Sequence, residues 1–123
     1  MQIGVDCNLA VGNRRIFVVT TDEIARMAVQ FMLHDEYETH EFGSLDAAEA
    51  KAIDWPPDLL IVGAELMRSD AGQQADSVVS RFSQARVMLL AEGAVDDVPS
   101  AIPRLAMPLR LEAVRSTVAN EFR

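Results

Sequence analysis

Pro57-Asp58-Leu59-Leu60-Ile61-Val62-Gly63-Ala64-Glu65-Leu66-Met67 is the stretch that decides the fold of this chain. Its centre, residues 59–62, is a continuous apolar run with two β-branched residues, which is typical of a strand buried on both faces. Gly63 then opens a turn at the carboxyl end of that strand. In an open parallel α/β sheet, sites are built at this end of the strands. The position where chemistry is expected therefore holds a residue without a side chain.

Length and composition fit one globular domain. The chain has 123 residues, of which 50% are hydrophobic and 24% are charged, and both values are ordinary for a single domain. No apolar run approaches the roughly 18 residues of a transmembrane helix. Residues 1–13 lack a basic start and contain Asp6, so we do not expect a secretion signal. One cysteine, Cys7, excludes an internal disulfide and fits a reducing, cytoplasmic compartment.

The net charge makes nucleic acid and membranes poor partners. It is −8 at neutral pH, and phosphate groups are bound mainly by lysine and arginine. We therefore expect no direct contact with nucleic acid or with an anionic membrane.

Strand and helix patterns alternate along residues 15–122. We predict strands at residues 15–19, 37–42, 59–62, 86–90 and 105–107. We predict helices from a cap at Thr20 to about 33, at 45–53, at 75–84 and at 109–122, with a loop at 64–74. This alternation predicts parallel strands joined by right-handed helical crossovers, a doubly wound five-stranded α/β sheet in one domain, residues 15–123. Residues 1–14 are either an extra edge strand or a disordered extension.

Three local predictions concern the helices. Thr20 followed by Glu23 is a capping box, which places the start of the first helix at Thr20. Two prolines between the fourth and fifth strands, Pro99 and Pro103, leave room there for a short helix at most. The apolar stripe predicted to face the core from the first helix contains Ile24, Met27, Ala28, Phe31 and Met32.

Motifs of catalytic and cofactor sites do not occur. The sequence has no G-x-G-x-x-G, no phosphate loop, no G-x-S-x-G and no C-x-x-C. His34 and His40 fall on different predicted elements, which disfavours a shared metal ion. We see no pairing of a nucleophile with a base, so we predict neither an enzyme nor a bound cofactor.

Four segments of the chain resemble the receiver domain of two-component response regulators. Arg15-Ile-Phe-Val-Val-Thr-Thr-Asp22 resembles the first strand and its acidic turn, and residues 57–67 resemble the strand that carries the phospho-acceptor. Arg86-Val-Met-Leu-Leu-Ala91 resembles the strand that ends in a hydroxyl residue, and Met107-Pro108 resembles a Lys-Pro pair. The resemblance implies the flavodoxin-like strand order 2-1-3-4-5. It also implies a family whose members accept a phosphoryl group on an aspartate with the help of Mg²⁺.

At every chemical position the chain departs from the receiver pattern. Gly63 stands where the resemblance places the acceptor aspartate, and it offers no nucleophile. The acidic pair, the hydroxyl residue, the lysine and an aromatic residue are replaced at Thr20, Thr21, Ala91, Met107 and Arg104. Mg²⁺ prefers carboxylate ligands, and developing phosphoryl charge is stabilised by cations. The resemblance is therefore to a pseudo-receiver, a receiver fold without phosphorylation chemistry.

Two functions remain open at this point. One is a phosphorylation-independent protein-interaction module in bacterial two-component-type signalling or transcription regulation. Receivers commonly dimerise or bind partners through the fourth strand, the fifth strand and the last helix, where this chain has Arg104, Arg110, Leu111, Val114 and Arg115. The alternative is a small-ligand sensor that uses an emptied pocket around Thr20, Gly63, Ala91 and Met107. Asp22 and Glu65 are close enough in sequence to bind a cation weakly there.

Overall fold

One parallel sheet organises the molecule. The computed structural model describes residues 14–67, 74–91, 102–106 and 109–122. Its strands are β1 (Arg15–Val19), β2 (Glu38–Phe42), β3 (Leu59–Gly63), β4 (Arg86–Ala91) and β5 (Arg104–Ala106). Its helices are α1 (Glu23–Leu33), α2 (Leu45–Ala52), α3 (Ala64–Met67), α4 (Gln74–Arg81) and α5 (Leu111–Glu121). The strand order β2-β1-β3-β4-β5 confirms the predicted doubly wound α/β fold.

The centre of the sheet is β3. All five of its residues are buried, and it pairs in parallel with β1 on one side and β4 on the other. Successive side chains of a strand point to opposite faces. Leu60 and Val62 accordingly belong to one core cluster, and Leu59 and Ile61 belong to the other. Burial on both faces explains the uninterrupted apolar run, and the strand delivers Gly63 to the carboxyl edge of the sheet.

α1 begins later than the predicted capping box. Its N-cap is Asp22, whose side chain accepts a hydrogen bond from the Ala25 N–H at 3.1 Å. Thr20 lies before the cap, and its Oγ1 accepts from the Asp22 N–H at 3.1 Å and donates to Glu65 instead of accepting from a helix N–H. The capping-box prediction is therefore wrong for Thr20. α2 is capped by Ser44, a residue type that is strongly preferred at the N-cap, and its Oγ accepts a hydrogen bond from the Ala47 N–H.

The buried face of α1 also differs from the predicted one. Ala25, Val29 and Leu33 face the core and are at most 5% exposed. Ile24, Met27 and Phe31 are 81%, 56% and 72% exposed. The helix carries apolar residues on two sides, so periodicity could not say which side packs against the sheet. The prediction that Ile24, Met27 and Phe31 face the core is wrong.

The segment after β3 contains a helical turn. The sequence predicted a loop over residues 64–74, whereas α3 begins directly after Gly63. α4 spans Gln74–Arg81 instead of the predicted 75–84. Residues 1–13, Met107 and most of the segment between β4 and β5 lie outside the described residues. Within the described ranges, no helix is long and apolar enough to cross a membrane.

Candidate functional site

The carboxyl ends of β1 and β3 bring the central candidate residues together. Val19 is the register partner of Val62, so the residues that follow them, Thr20 and Gly63, lie side by side. Thr20 is only 1% exposed. The structure thus brings together three positions that the sequence singled out: Thr20, Thr21 and Gly63.

A fourth residue, Glu65, completes this site. Because α3 starts immediately after β3, its first turn places the Glu65 side chain above the strand ends. Although Glu65 as a residue is exposed, its Oε2 atom accepts three hydrogen bonds. Thr20 Oγ1 donates at 2.7 Å, the Thr21 N–H at 2.8 Å and Thr21 Oγ1 at 3.0 Å. The carboxylate therefore joins the β1–α1 turn to the β3–α3 turn.

Glu65 occupies the space in which a side chain at position 63 would begin. A Cβ atom built on Gly63 would lie 2.6 Å from Glu65 Oε2 and 2.6 Å from Thr20 Oγ1, and it would also collide with Glu65 Oε1. These separations are far shorter than van der Waals contacts, and the φ angle of Gly63 is outside the left-handed region. A larger residue here would have to displace the Glu65 carboxylate and shift Thr20 Oγ1, so the close approach of these oxygen atoms, and not the backbone angles, favours glycine.

The hydrogen bonds favour the ionised form of Glu65 and so lower the pKa of its carboxyl group. Burial raises its pKa, but the donors on Thr20 and Thr21 and a backbone N–H act in the opposite direction. The net result is a pKa below the ordinary glutamate value, since hydrogen bonds to the ionised form favour it. The site therefore holds a fixed negative charge at neutral pH.

The neighbouring groups fix the β1–α1 turn in the same arrangement. Thr20 Oγ1 accepts from the Asp22 N–H at 3.1 Å, and Arg26 Nη1 donates to the Thr20 carbonyl at 2.7 Å. Arg26 also forms an ion pair with Glu41 at 3.5 Å. Asp22 caps α1, and Glu65 is bound by threonine donors, so protein groups already use the two carboxylates considered for weak cation binding. Among the described residues, no cluster of three or more His, Cys, Asp or Glu side chains could hold a metal ion.

The described part of the predicted ligand pocket contains a carboxylate. In the described part of that pocket the Glu65 carboxylate stands between Thr20 and Gly63. Ala91 is 6% exposed at the end of β4, and Met107 lies outside the described residues. A cavity of about 280 Å³ lies at the opposite edge of the sheet, lined by Ala52, Ile53, Pro56, Pro57, Phe82 and Ala85 among others.

The predicted interaction face is only partly exposed. Arg110 is exposed and Leu111 is 44% exposed, whereas Arg104 on β5 is half-buried. Val114 is 2% exposed and packs in the core, so it cannot contribute to this surface. Arg115 is turned towards α1, where its Nε donates to the Met32 carbonyl at 3.0 Å and its Nη2 donates to both Asp35 carboxylate oxygens at 2.9 Å.

The sequence placed Glu65 near this site only as a weak cation ligand and could not show that its carboxylate accepts hydrogen bonds from both threonines. Its position two residues after Gly63 has meaning only if a helical turn begins at Ala64, and the pattern of residues 64–74 predicted a loop. The two adjacent threonines after β1 give a partial indication of a carboxylate partner. Their hydroxyl groups can donate hydrogen bonds to a carboxylate as well as stand where the receiver pattern has an acidic pair.

Comparison with known proteins gives the fold. No protein-family model and no curated protein matches the sequence. The chemotaxis response regulator CheY4 of Vibrio cholerae is 18% identical, with a TM-score of 0.71 over 88% of this chain and 98% of that one. A response regulator receiver domain protein of Bacillus halodurans is 19% identical, with a TM-score of 0.69 over 88% and 96%. A receiver-modulated diguanylate cyclase of Pelobacter carbinolicus is 18% identical, with a TM-score of 0.71 over 89% and 92%. The chain therefore has the fold of a response-regulator receiver domain.

Proposed function

We propose that this chain is a pseudo-receiver, which acts as a protein-interaction module without being phosphorylated. Its setting would be bacterial two-component-type signalling or transcription regulation. The observation that carries the proposal is the Glu65 carboxylate above Gly63, bound by the Thr20 and Thr21 donors. A charged group of the chain itself occupies the place where the resemblance would put an aspartate and its phosphoryl group.

Phosphoryl transfer lacks each of its usual parts at this site. Gly63 has no nucleophile, and the Glu65 Oε2 atom is already the acceptor of three hydrogen bonds. Thr20 and Thr21 supply neutral hydroxyls where Mg²⁺ would want carboxylates. Met107 stands in the sequence where a cation would stabilise the transferred group. One such replacement could be compensated by a neighbour, but together they remove the mechanism.

Binding to another protein is the role that this fold can keep without the chemistry. A partner shifts a conformational equilibrium only if it binds one state better than the other. The link from Glu65 to Thr20 and Thr21 favours one arrangement of the two turns, so a partner would recognise a preformed surface. Arg104, Arg110 and Leu111 remain candidates for partner or homodimer contacts on the face of β4, β5 and α5.

Phosphorylation independence can be tested by intact mass. The protein is incubated with Mg²⁺ and acetyl phosphate beside a receiver that has its acceptor aspartate. We expect the comparison receiver to gain a phosphoryl group, while this chain and its Glu65→Gln variant keep their unmodified masses. A stoichiometric adduct on the wild-type chain would refute the proposal, and its loss in Glu65→Gln would identify Glu65 as the acceptor.

A further inference from the structure

We propose that residues 3–11 of this chain, the strap segment, pack into the cavity at the amino edge of the sheet and cover it. This cavity, the amino-edge groove, is the one lined by Ala52, Ile53, Pro56, Pro57, Phe82 and Ala85 among others. The strap segment lies outside the described residues. The inference concerns the edge of the sheet opposite Gly63 and Glu65, and it does not depend on the proposed function.

The amino-edge groove is an apolar depression that is open to solvent. It has a volume of about 280 Å³ and lies where the ends of α2 and α4 approach the starts of β3 and β4. Its wall contains Ile53, which is 80% exposed, and Phe82, which is nearly buried. Trp55, beside the lining residue Pro56, is 48% exposed. Large apolar side chains that are exposed around one depression indicate a surface that another group covers.

The strap segment joins the described chain beside the groove. The Arg15 N–H donates to Asp58 Oδ2 at 2.7 Å, and Arg15 Nη1 donates to the Pro56 carbonyl at 3.0 Å. The Arg15 guanidinium also lies over the Trp55 ring, 5.0 Å from its centroid. Residues 3–11 precede Arg15 by four to twelve positions, so an extended chain can place them within about 13–40 Å of it. This short connection holds the strap segment near the groove at a high effective concentration.

The sequence of the strap segment suits an apolar groove. Its odd-numbered positions are all apolar, and they hold Ile3, Val5, Cys7, Leu9 and Val11. In an extended chain alternate residues lie on the same side, so one side of the segment is apolar while Asp6 and Asn8 lie on the other. Gly12-Asn13 allow the chain to change direction before it enters β1. An extended segment with one apolar side is stabilised when that side packs against an apolar surface.

Charge at the groove is also compatible with the strap segment. Asp6 is the only charged side chain of residues 3–11. Lys51, next to the lining residue Ala52, is exposed and has its Nζ 5.6 Å from the Trp55 ring centroid. Within the described part of the chain, Lys51 forms no ion pair with an acidic side chain. The ammonium group is therefore available to Asp6 at the rim of the groove.

The outer edge of β2 suits the strap segment less well. β2 is an edge strand of the sheet, so an alternating segment could in principle pair with it. Its five residues include Glu38 and Glu41, and Phe42 is the only apolar one. Short edge strands with charged side chains disfavour further pairing. The apolar side of the strap segment would also meet little apolar surface there, whereas the amino-edge groove supplies it.

Disulfide formation within the full chain tests where the strap segment lies. Cys7 is the only cysteine, so Ser83→Cys, in the groove, allows one intramolecular disulfide in a glutathione redox buffer. Ser116→Cys is the matched control, because this serine is also exposed but belongs to α5 on the other face of the sheet. Thr39→Cys samples β2. We expect the effective concentration of Cys7 for Ser83→Cys to exceed that for either other variant by at least about tenfold.

Substitutions within the strap segment test whether its apolar side makes the contact. Leu9→Ser with Val11→Ser should lower the ratio between Ser83→Cys and Ser116→Cys to about one. Asn8→Ser with Ala10→Ser, on the opposite side, should leave it unchanged. Without any introduced cysteine, acrylamide quenching of the single tryptophan, Trp55, should increase in the apolar-side variant and stay the same in its control.

Each alternative result counts against the inference. Equal effective concentrations for Ser83→Cys and Ser116→Cys would overturn it. A preference for Thr39→Cys would assign the strap segment to the edge of β2, and disulfide-linked dimers that increase with protein concentration would assign the groove to a second copy. Equal quenching of Trp55 in the apolar-side variant and its control would overturn the contact with the groove.

Discussion

Replacing Gly63 with Asp is expected to lower the free energy of unfolding by about 1–2 kcal/mol at neutral pH. The new Cβ would take the space of the Glu65 carboxylate and press on Thr20 Oγ1. Glu65 would leave its three donors, or two carboxylates would share one site, which raises the pKa of one of them. Urea denaturation monitored by circular dichroism measures the loss.

Two further variants separate the general effect of replacing a glycine from the competition between the introduced aspartate and Glu65 for the threonine donors. A Cβ on Gly43 would meet Arg26 Nη1 at 3.6 Å, an ordinary contact, so Gly43→Asp should change stability by no more than about 0.5 kcal/mol. In Gly63→Asp with Glu65→Ala, the aspartate can accept the threonine hydrogen bonds. The double variant should therefore be more stable than Gly63→Asp alone, with a coupling of about 1 kcal/mol or more. Additive losses would argue against a shared site.

Leu33→Ala should destabilise the protein by about 2–5 kcal/mol, the usual range for removing a buried leucine side chain. Leu33 is fully buried on the sheet side of α1. Phe31, two residues earlier and larger, is 72% exposed, so Phe31→Ala should cost no more than about 0.5 kcal/mol. Paired urea titrations decide between the two faces of α1. If Phe31→Ala proved the more damaging change, the burial of Leu33 and the exposure of Phe31 described above would be contradicted.

The sequence predicted β3 correctly and the buried face of α1 incorrectly, and the difference has a physical reason. Residues 59–62 predicted a central strand because burial on both faces requires an apolar side chain at each position. α1 has two apolar stripes, and the one with Ile24, Met27 and Phe31 contains the larger residues. The choice between them is made by tertiary structure: Thr20 stays bound to β2, Asp22 caps the helix, and Arg115 of α5 binds the end of α1.

The sequence could predict one part of the candidate site and could not predict the other. The absence of an acceptor at Gly63 could be read from the sequence, because a missing side chain is a property of one residue. The presence of the Glu65 carboxylate above it could not, because it depends on a helical turn at Ala64 and on the register of β1 with β3. The family resemblance placed Val114 on the interaction face, whereas the packing of α5 against the sheet buries it.

Titration of the Glu65 carboxyl carbon by NMR tests the central claim, that this carboxylate is held by Thr20 and Thr21 in the acceptor space. The folded-state pKa lies below the ordinary value, so its contribution to stability is present above the unfolded pKa and is lost as the pH falls through the folded pKa. We predict a midpoint below that of an ordinary glutamate, which rises when Thr20→Val removes the shortest hydrogen bond at 2.7 Å. A midpoint at or above the ordinary value, unchanged by Thr20→Val, would contradict the account.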